Sequence, residues 1–139
     1  NRIMTDLVIL YGVRYLLAKN VFPFDSYTVE YGNEDKNGFD IRAEANGKRL
    51  IGEAFNVAPS YYQGKKNDMF KKLRGATEKA NFRIIMFNSD AVKPRYEPDL
   101  KANEFCVIVN VGTDEASVLP KVKAGSSGRK VRSVLTVKS

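Results

Sequence analysis

The stretch Gly38-Phe39-Asp40-Ile41-Arg42-Ala43-Glu44-Ala45-Asn46-Gly47-Lys48-Arg49-Leu50-Ile51-Gly52-Glu53-Ala54-Phe55 decides how this chain folds. Two strand-like runs, 39–45 and 49–57, flank Asn46-Gly47, a dipeptide suited to a two-residue hairpin turn because both residues tolerate positive φ. Each run carries an acid among apolar neighbours, Asp40 in the first and Glu53 in the second. A carboxylate in such a strand is expensive to bury without compensation. Two of them side by side repel, and a divalent cation relieves that repulsion.

Outward from the hairpin, residues 2–19 read as a helix with an apolar face through Ile3, Leu7, Leu10, Tyr11 and Leu17, widened by Met4, Val8 and Tyr15. A first strand is expected at 27–31, closed by the polar turn 32–38. After Pro59, Ser60 is the expected cap of a helix over 61–80, whose stripe runs through Tyr62, Lys66, Met69, Leu73, Ala76 and Ala80. Short apolar strands follow at 82–88 and 104–111, with one short helix expected within 94–102. Hairpin strands followed by helix-connected strands imply an α/β fold, a mixed β-sheet flanked by helices in the order α-β-β-β-α-β, then β.

The sequence has 139 residues, 43% of them hydrophobic, enough for one core and too few for two. We expect a single α/β domain over 1–119 and a basic segment over 120–139 that is either flexible or adds an edge strand. That segment carries Lys121, Lys123, Arg129, Lys130, Arg132 and Lys138 and no acid; it reads as a solvated tail with a last strand at 131–137, or as an arm on phosphates. The net charge of +7 makes an anionic partner natural, a polyphosphate first among them. No run is long and apolar enough for a membrane span, and no leader pattern is visible, so an intracellular, cytoplasmic setting is expected. The chain starts at Asn1 rather than Met, which leaves open a trimmed product or a piece of a larger protein.

The absence of histidine excludes Ser-His-Asp and Cys-His catalysis and imidazole zinc sites. The lone Cys106, within an apolar strand, excludes an internal disulfide and a thiolate cage and reads as a buried, inert thiol. Any metal must therefore sit on oxygen ligands, which favours Mg²⁺, Mn²⁺ or Ca²⁺.

The element order, Gly38-Phe39-Asp40-Ile41 and Ile51-Gly52-Glu53-Ala54-Phe55 together resemble the PD-(D/E)xK nuclease superfamily, the restriction-endonuclease-like fold. The resemblance spans residues 2–111 in element order. It implies a nuclease, with endonucleolytic hydrolysis of DNA favoured, in which Asp40, Glu53 and the backbone carbonyl of Ala54 hold Mg²⁺, Mn²⁺ being able to substitute. The family's lysine should stand two residues after Glu53, where this chain has Phe55. Some members place that lysine, or a glutamine, on the following helix. Lys66 and Gln63 are accordingly the expected catalytic replacements, with Lys66 in the apolar stripe and Gln63 one turn before it. On that reading the basic residues of the second helix and the tail, Lys65, Lys71, Lys72, Arg74, Arg129 and Lys130, are the expected nucleic-acid contacts and DNA is the expected partner, the chain acting as a homodimer or as part of a larger protein.

Each choice has a plainer counterpart. Lys66 can snorkel at the edge of its stripe and Gln63 can be a surface residue. Glu30 reads as a third metal ligand or a solvent-facing strand residue, and Asp6 as an extra acid or a first-turn helix residue. Tyr61 and Tyr62 suit base stacking, Tyr62 fitting the core better. Arg42 can pair with a neighbouring acid. A catalytically inactive nucleic-acid-binding domain and a non-enzymatic interaction domain are the alternative functions.

Overall fold

A computed structural model of the chain describes residues 2–32, 38–122 and 134–138. The elements run α1 (Arg2–Ala18), β1 (Ser26–Glu30), β2 (Ile41–Ala45), β3 (Lys48–Phe55), α2 (Pro59–Arg74), β4 (Phe82–Asn88), a 3-10 turn at Ser89–Ala91, β5 (Glu104–Asn110), β6 (Glu115–Leu119) and β7 (Val134–Lys138). The seven strands form one mixed sheet in the order β6-β5-β4-β3-β2-β1-β7. Pairs β1–β2, β2–β3 and β5–β6 are antiparallel; β3–β4, β4–β5 and β1–β7 are parallel. The chain is thus an α/β protein with a mixed sheet flanked by two helices, as the sequence predicts. Among the described residues, no helix is long and apolar enough to cross a membrane.

The hairpin forms around Asn46-Gly47, with φ of 52° and 78° at the two turn residues and Ala45 paired to Lys48. Positive φ at both positions is what twist-compatible two-residue hairpins require. The turn fixes the register, Ile41 opposite Gly52 and Arg42 opposite Ile51. Alternation along β3 then sends Leu50 and Ala54 to the core beneath α1, and Ile51 and Phe55 to the core beneath α2.

The buried face of α1 is Thr5, Val8, Ile9, Gly12, Val13 and Leu16, not the expected face through Ile3, Leu7 and Leu10; Ile3 is 72% exposed. Apolar residues lie on every side of this helix, interrupted only by Arg2, Thr5, Asp6 and Arg14, so periodicity alone does not choose a side. Gly12 does, because a Cβ there would lie 2.2 Å from Met86 Sδ and only glycine permits the approach to β4.

Helix α2 begins with Pro59 after Ala58 and ends at Gly75, so Ser60 lies inside its first turn and the helix stops short of Ala80. Pro suits the first helical turn, whose N–H groups lack helical partners anyway. Its buried residues are Tyr62, Lys66, Phe70 and Leu73; Met69 is only partly buried, on the flank. No helix forms within 94–102, and a strand that the sequence reading missed, β6, closes one edge. β7 adds an edge strand beside β1 at the other end of the sheet.

Candidate active site

The hairpin register places Asp40, just before β2, opposite Glu53 on the face that α2 covers. Their side chains are locked reciprocally. The Asp40 N–H donates to Glu53 Oε2 at 2.9 Å, and the Ala54 N–H donates to Asp40 Oδ2 at 2.9 Å. Lys72, near the end of α2, forms an ion pair with Glu53 Oε1. Its ammonium lies 5.8 Å from the centre of the Phe39 ring. Two carboxylates and one ammonium thus meet at a single place between strand and helix.

Glu53 is only 3% exposed. Burial pushes its carboxyl up to about 7, the charge of Asp40 adds to the rise, and hydrogen bonds from Lys72 and the Asp40 N–H offset part of it. A buried acid that feels a second acid and one lysine is short of positive charge. The nearby donors are oxygens, so a hard divalent ion of the Mg²⁺ or Mn²⁺ kind fits the set. Among the described residues, no group of three or more His, Cys, Asp or Glu side chains could hold a metal. The side chains available to such an ion are therefore the two carboxylates of Asp40 and Glu53.

Lys66 is buried, as its place in the stripe predicts, but it does not join the acids. Its ammonium donates to the Asp99 carbonyl at 2.9 Å, and its charge is felt by Cys106 on β5 rather than by Glu53. Residues six apart on a helix point about 120° apart around its axis, so Lys66 and Lys72 cannot serve the same point. Lys66 instead lines a polar cleft of about 410 Å³ with Gln63, Asn67, Tyr96 and Asp99. Gln63 is exposed and donates to Asn67 at 3.1 Å.

The remaining expected residues sort by their contacts. Arg74 forks onto the buried Glu104, Nε to Oε2 at 2.5 Å and Nη2 to Oε1 at 2.9 Å, and so serves an internal pair. Lys65 is partly buried and Lys71 exposed on α2. Arg129 and Lys130 lie outside the described residues. Asp6 pairs with Arg2 at 3.2 Å and accepts the Gly32 N–H at 3.4 Å. Glu30 follows β1's register to a place beside Asp40, its N–H donating to the Asp40 carbonyl at 2.9 Å. Tyr61 is 71% exposed, whereas the Tyr62 hydroxyl donates to Tyr96 at 2.8 Å inside the α2 core. Burial pushes the Cys106 thiol up to about 12, so it stays protonated at neutral pH.

Phe55, where the motif lysine would stand, is 3% exposed and stacks on Phe87 with ring centroids 5.4 Å apart. Sequence reasoning named Lys72 only as a phosphate contact. The available signal was its position on the flank of the buried stripe, next to Leu73 and three residues after Met69. Glu78, which binds Arg42 from the segment after α2, left no local signal.

Comparison of the chain with protein-family models, with curated proteins and with solved structures gives no match.

Proposed function

We propose that this chain is a Mg²⁺-dependent nuclease of the PD-(D/E)xK kind, cleaving DNA endonucleolytically, in which Lys72 replaces the lysine missing at Phe55. The observation that carries this reading is the meeting of Asp40, Glu53 and Lys72 on one hairpin and the helix packed over it. The net charge of +7 suits a polyanionic substrate.

Asp40, Glu53 and the Ala54 carbonyl would hold the ion, which supplies Lewis acidity at the scissile phosphate. The chain's own residues do the rest. Ala54 N–H orients the Asp40 carboxylate, and Asp40 N–H orients that of Glu53, so both acids are aimed before substrate arrives. Lys72 exchanges its contact with Glu53 for the phosphate, placing positive charge where negative charge grows during attack. Lys65 and Lys71 lend salt-sensitive affinity for the backbone without selecting bases.

One observation favours a second reading, an inactive nucleic-acid-binding domain: Phe55 is packed into the α2 core, and Lys72 already has a buried partner. Incubation of supercoiled plasmid with Mg²⁺, with chelator, and with the Asp40→Asn and Lys72→Ala variants separates the two. The nuclease reading expects nicking by the parent alone and only with the ion. Plasmid left intact by the parent with Mg²⁺ and Mn²⁺, but still bound, leaves the inactive domain.

A further inference from the structure

Beside the acid pair, on the same face, the described residues leave the sheet open. Helix α2 packs on β3 and β4, and the strip of β1 and β2 next to it forms a groove of about 330 Å³ whose lining includes Ser26, Thr28, Arg42, Glu44, Arg49 and Glu78. The register explains why these residues meet. Thr28 is opposite Arg42, Arg42 opposite Ile51, and Glu44 opposite Arg49, so all point to the face that carries Asp40 and Glu53. Arg42 is two residues from Asp40, about 7 Å along the strand. Arg49 is its diagonal neighbour across the hairpin, within reach of a long side chain.

One carboxylate bridges the two arginines. Glu78 accepts from Arg42 Nη1 at 2.9 and 2.7 Å and lies 3.6 Å from Arg49 Nη1. It belongs to the non-helical link between α2 and β4, which Asn81 ties to β3: Asn81 N–H donates to the Arg49 carbonyl at 2.8 Å and Arg49 N–H to Asn81 Oδ1 at 2.9 Å. Arg49 is also held by Glu44 at 3.1 Å, and Glu44 is 63% exposed. A carboxylate shared by two guanidinium groups, with threonine and serine hydroxyls alongside, is the donor pattern that also suits a phosphodiester.

We propose that Arg42 and Arg49 form a phosphodiester subsite for the nucleic-acid strand whose scissile phosphate reaches Asp40 and Glu53, and that Glu78 holds the phosphate's place in the unbound protein. The proposal rests on the nucleic-acid reading above but not on cleavage itself. Binding transfers the two guanidinium groups from Glu78 to the backbone phosphate, and the Glu78 side chain turns out to solvent while Asn81 keeps the link on β3. The subsite fixes the strand one step from the acids, so it sets which bond is presented without reading a base.

The test measures binding of a short fluorescein-labelled DNA duplex by anisotropy, in EDTA so that nothing is cut, over a range of salt. Glu78→Gln should tighten binding roughly fivefold by releasing both arginines, and Glu44→Gln by roughly twofold. Arg42→Gln and Arg49→Gln should each weaken it about tenfold and lower the salt slope by about one. Glu115→Gln, on β6 at the far edge of the sheet, removes the same charge and should do less than Glu78→Gln. Equal tightening by Glu78→Gln and Glu115→Gln overturns the proposal, as does parental affinity in both arginine variants. Should Glu78→Gln melt below the assay temperature, Glu44→Gln against Arg49→Gln decides by the same criterion, since Glu44 is a rim residue. Mg²⁺-dependent plasmid cleavage is scored separately. Cleavage without these binding shifts removes the subsite and keeps the nuclease; the shifts without cleavage keep the subsite and remove the catalysis.

Discussion

Two buried carboxylates, Glu53 and Glu104, face cations from the end of the same helix and fare in opposite ways. Each is 3% exposed. Glu104 receives both arms of Arg74, and the Lys101 N–H donates to it at 2.8 Å. Burial pushes its carboxyl up, yet Arg74 and Lys101 more than offset this, and it sits below the usual carboxylate range. Glu53 has Lys72 on one side and the carboxylate of Asp40 on the other, and it is held up at about 7. The contrast separates an acid that secures the fold from one kept under-compensated. The first clamps α2 to β5; the second leaves negative charge in excess where α2 meets β3.

The sharpest way to break this contrast is activity. Lys72→Ala and Glu53→Gln should each cut Mg²⁺-dependent plasmid cleavage roughly a thousandfold, while Glu104→Gln leaves turnover of the folded protein unchanged. Similar losses in all three, measured at a temperature where each is folded, would erase the distinction.

Stability should diverge in sign. Glu104→Gln removes the charge that Arg74, itself 38% exposed and able to turn to water, pairs with, and should cost about 1.5 kcal/mol in urea unfolding at pH 8. Glu53→Gln removes a repelling charge while keeping an acceptor for the Asp40 N–H, and should stabilise the metal-free protein at that pH.

The same comparison sharpens into a pH dependence. Folded Glu53 keeps its proton up to about 7, whereas the unfolded chain releases it near the ordinary 4.5, so the folded state binds more protons in between. The stability this group contributes is complete below about 4.5 and is lost as pH rises through about 7. Urea unfolding of the metal-free parent at pH 5 and pH 8 should differ by on the order of 2 kcal/mol from this group, and Glu53→Gln should lack that loss. Parallel profiles for parent and variant would contradict the assignment.

The smallest effect is expected at Lys66. Its ammonium serves the Asp99 carbonyl, so Lys66→Met should leave cleavage and DNA affinity near parental and shift stability by no more than about 1 kcal/mol. A loss of cleavage comparable to that of Lys72→Ala would return the catalytic role to Lys66.

What could be read from the sequence was local. Asn46-Gly47 fixes a turn, the turn fixes a register, and the register alone puts Asp40 beside Glu53. Strands β4 and β5 announce themselves as short apolar runs. The choice between Lys66 and Lys72 could not be read the same way, because Lys66 lies within the apolar stripe and Lys72 on its flank, and only the docking of α2 decides which ammonium meets β3. The stripe itself was right at Tyr62, Lys66 and Leu73 and wrong at one position, where Phe70 rather than Met69 faces inward. Partners far apart in the chain were beyond local pattern altogether: Arg74 and Glu104 are 30 residues apart, and Arg42 and Glu78 are 36 apart. The face of α1 was hidden for the opposite reason, a helix apolar on all sides.

The aromatic stack at Phe55 makes the site a gauge of helix docking. In a strand-borne arrangement, acid and ammonium would sit two residues apart on one backbone and could not separate without loss of the sheet. Here the acids ride on β2 and β3 while the ammonium rides on α2, and the contact among Phe55, Phe87 and Tyr62 is the mortar between them. Parts of a fold can open locally, as cooperative units, at less free energy than global unfolding requires. A loosening of α2 too small to melt the protein would therefore pull Lys72 from the acids, so that the site fails before the fold does.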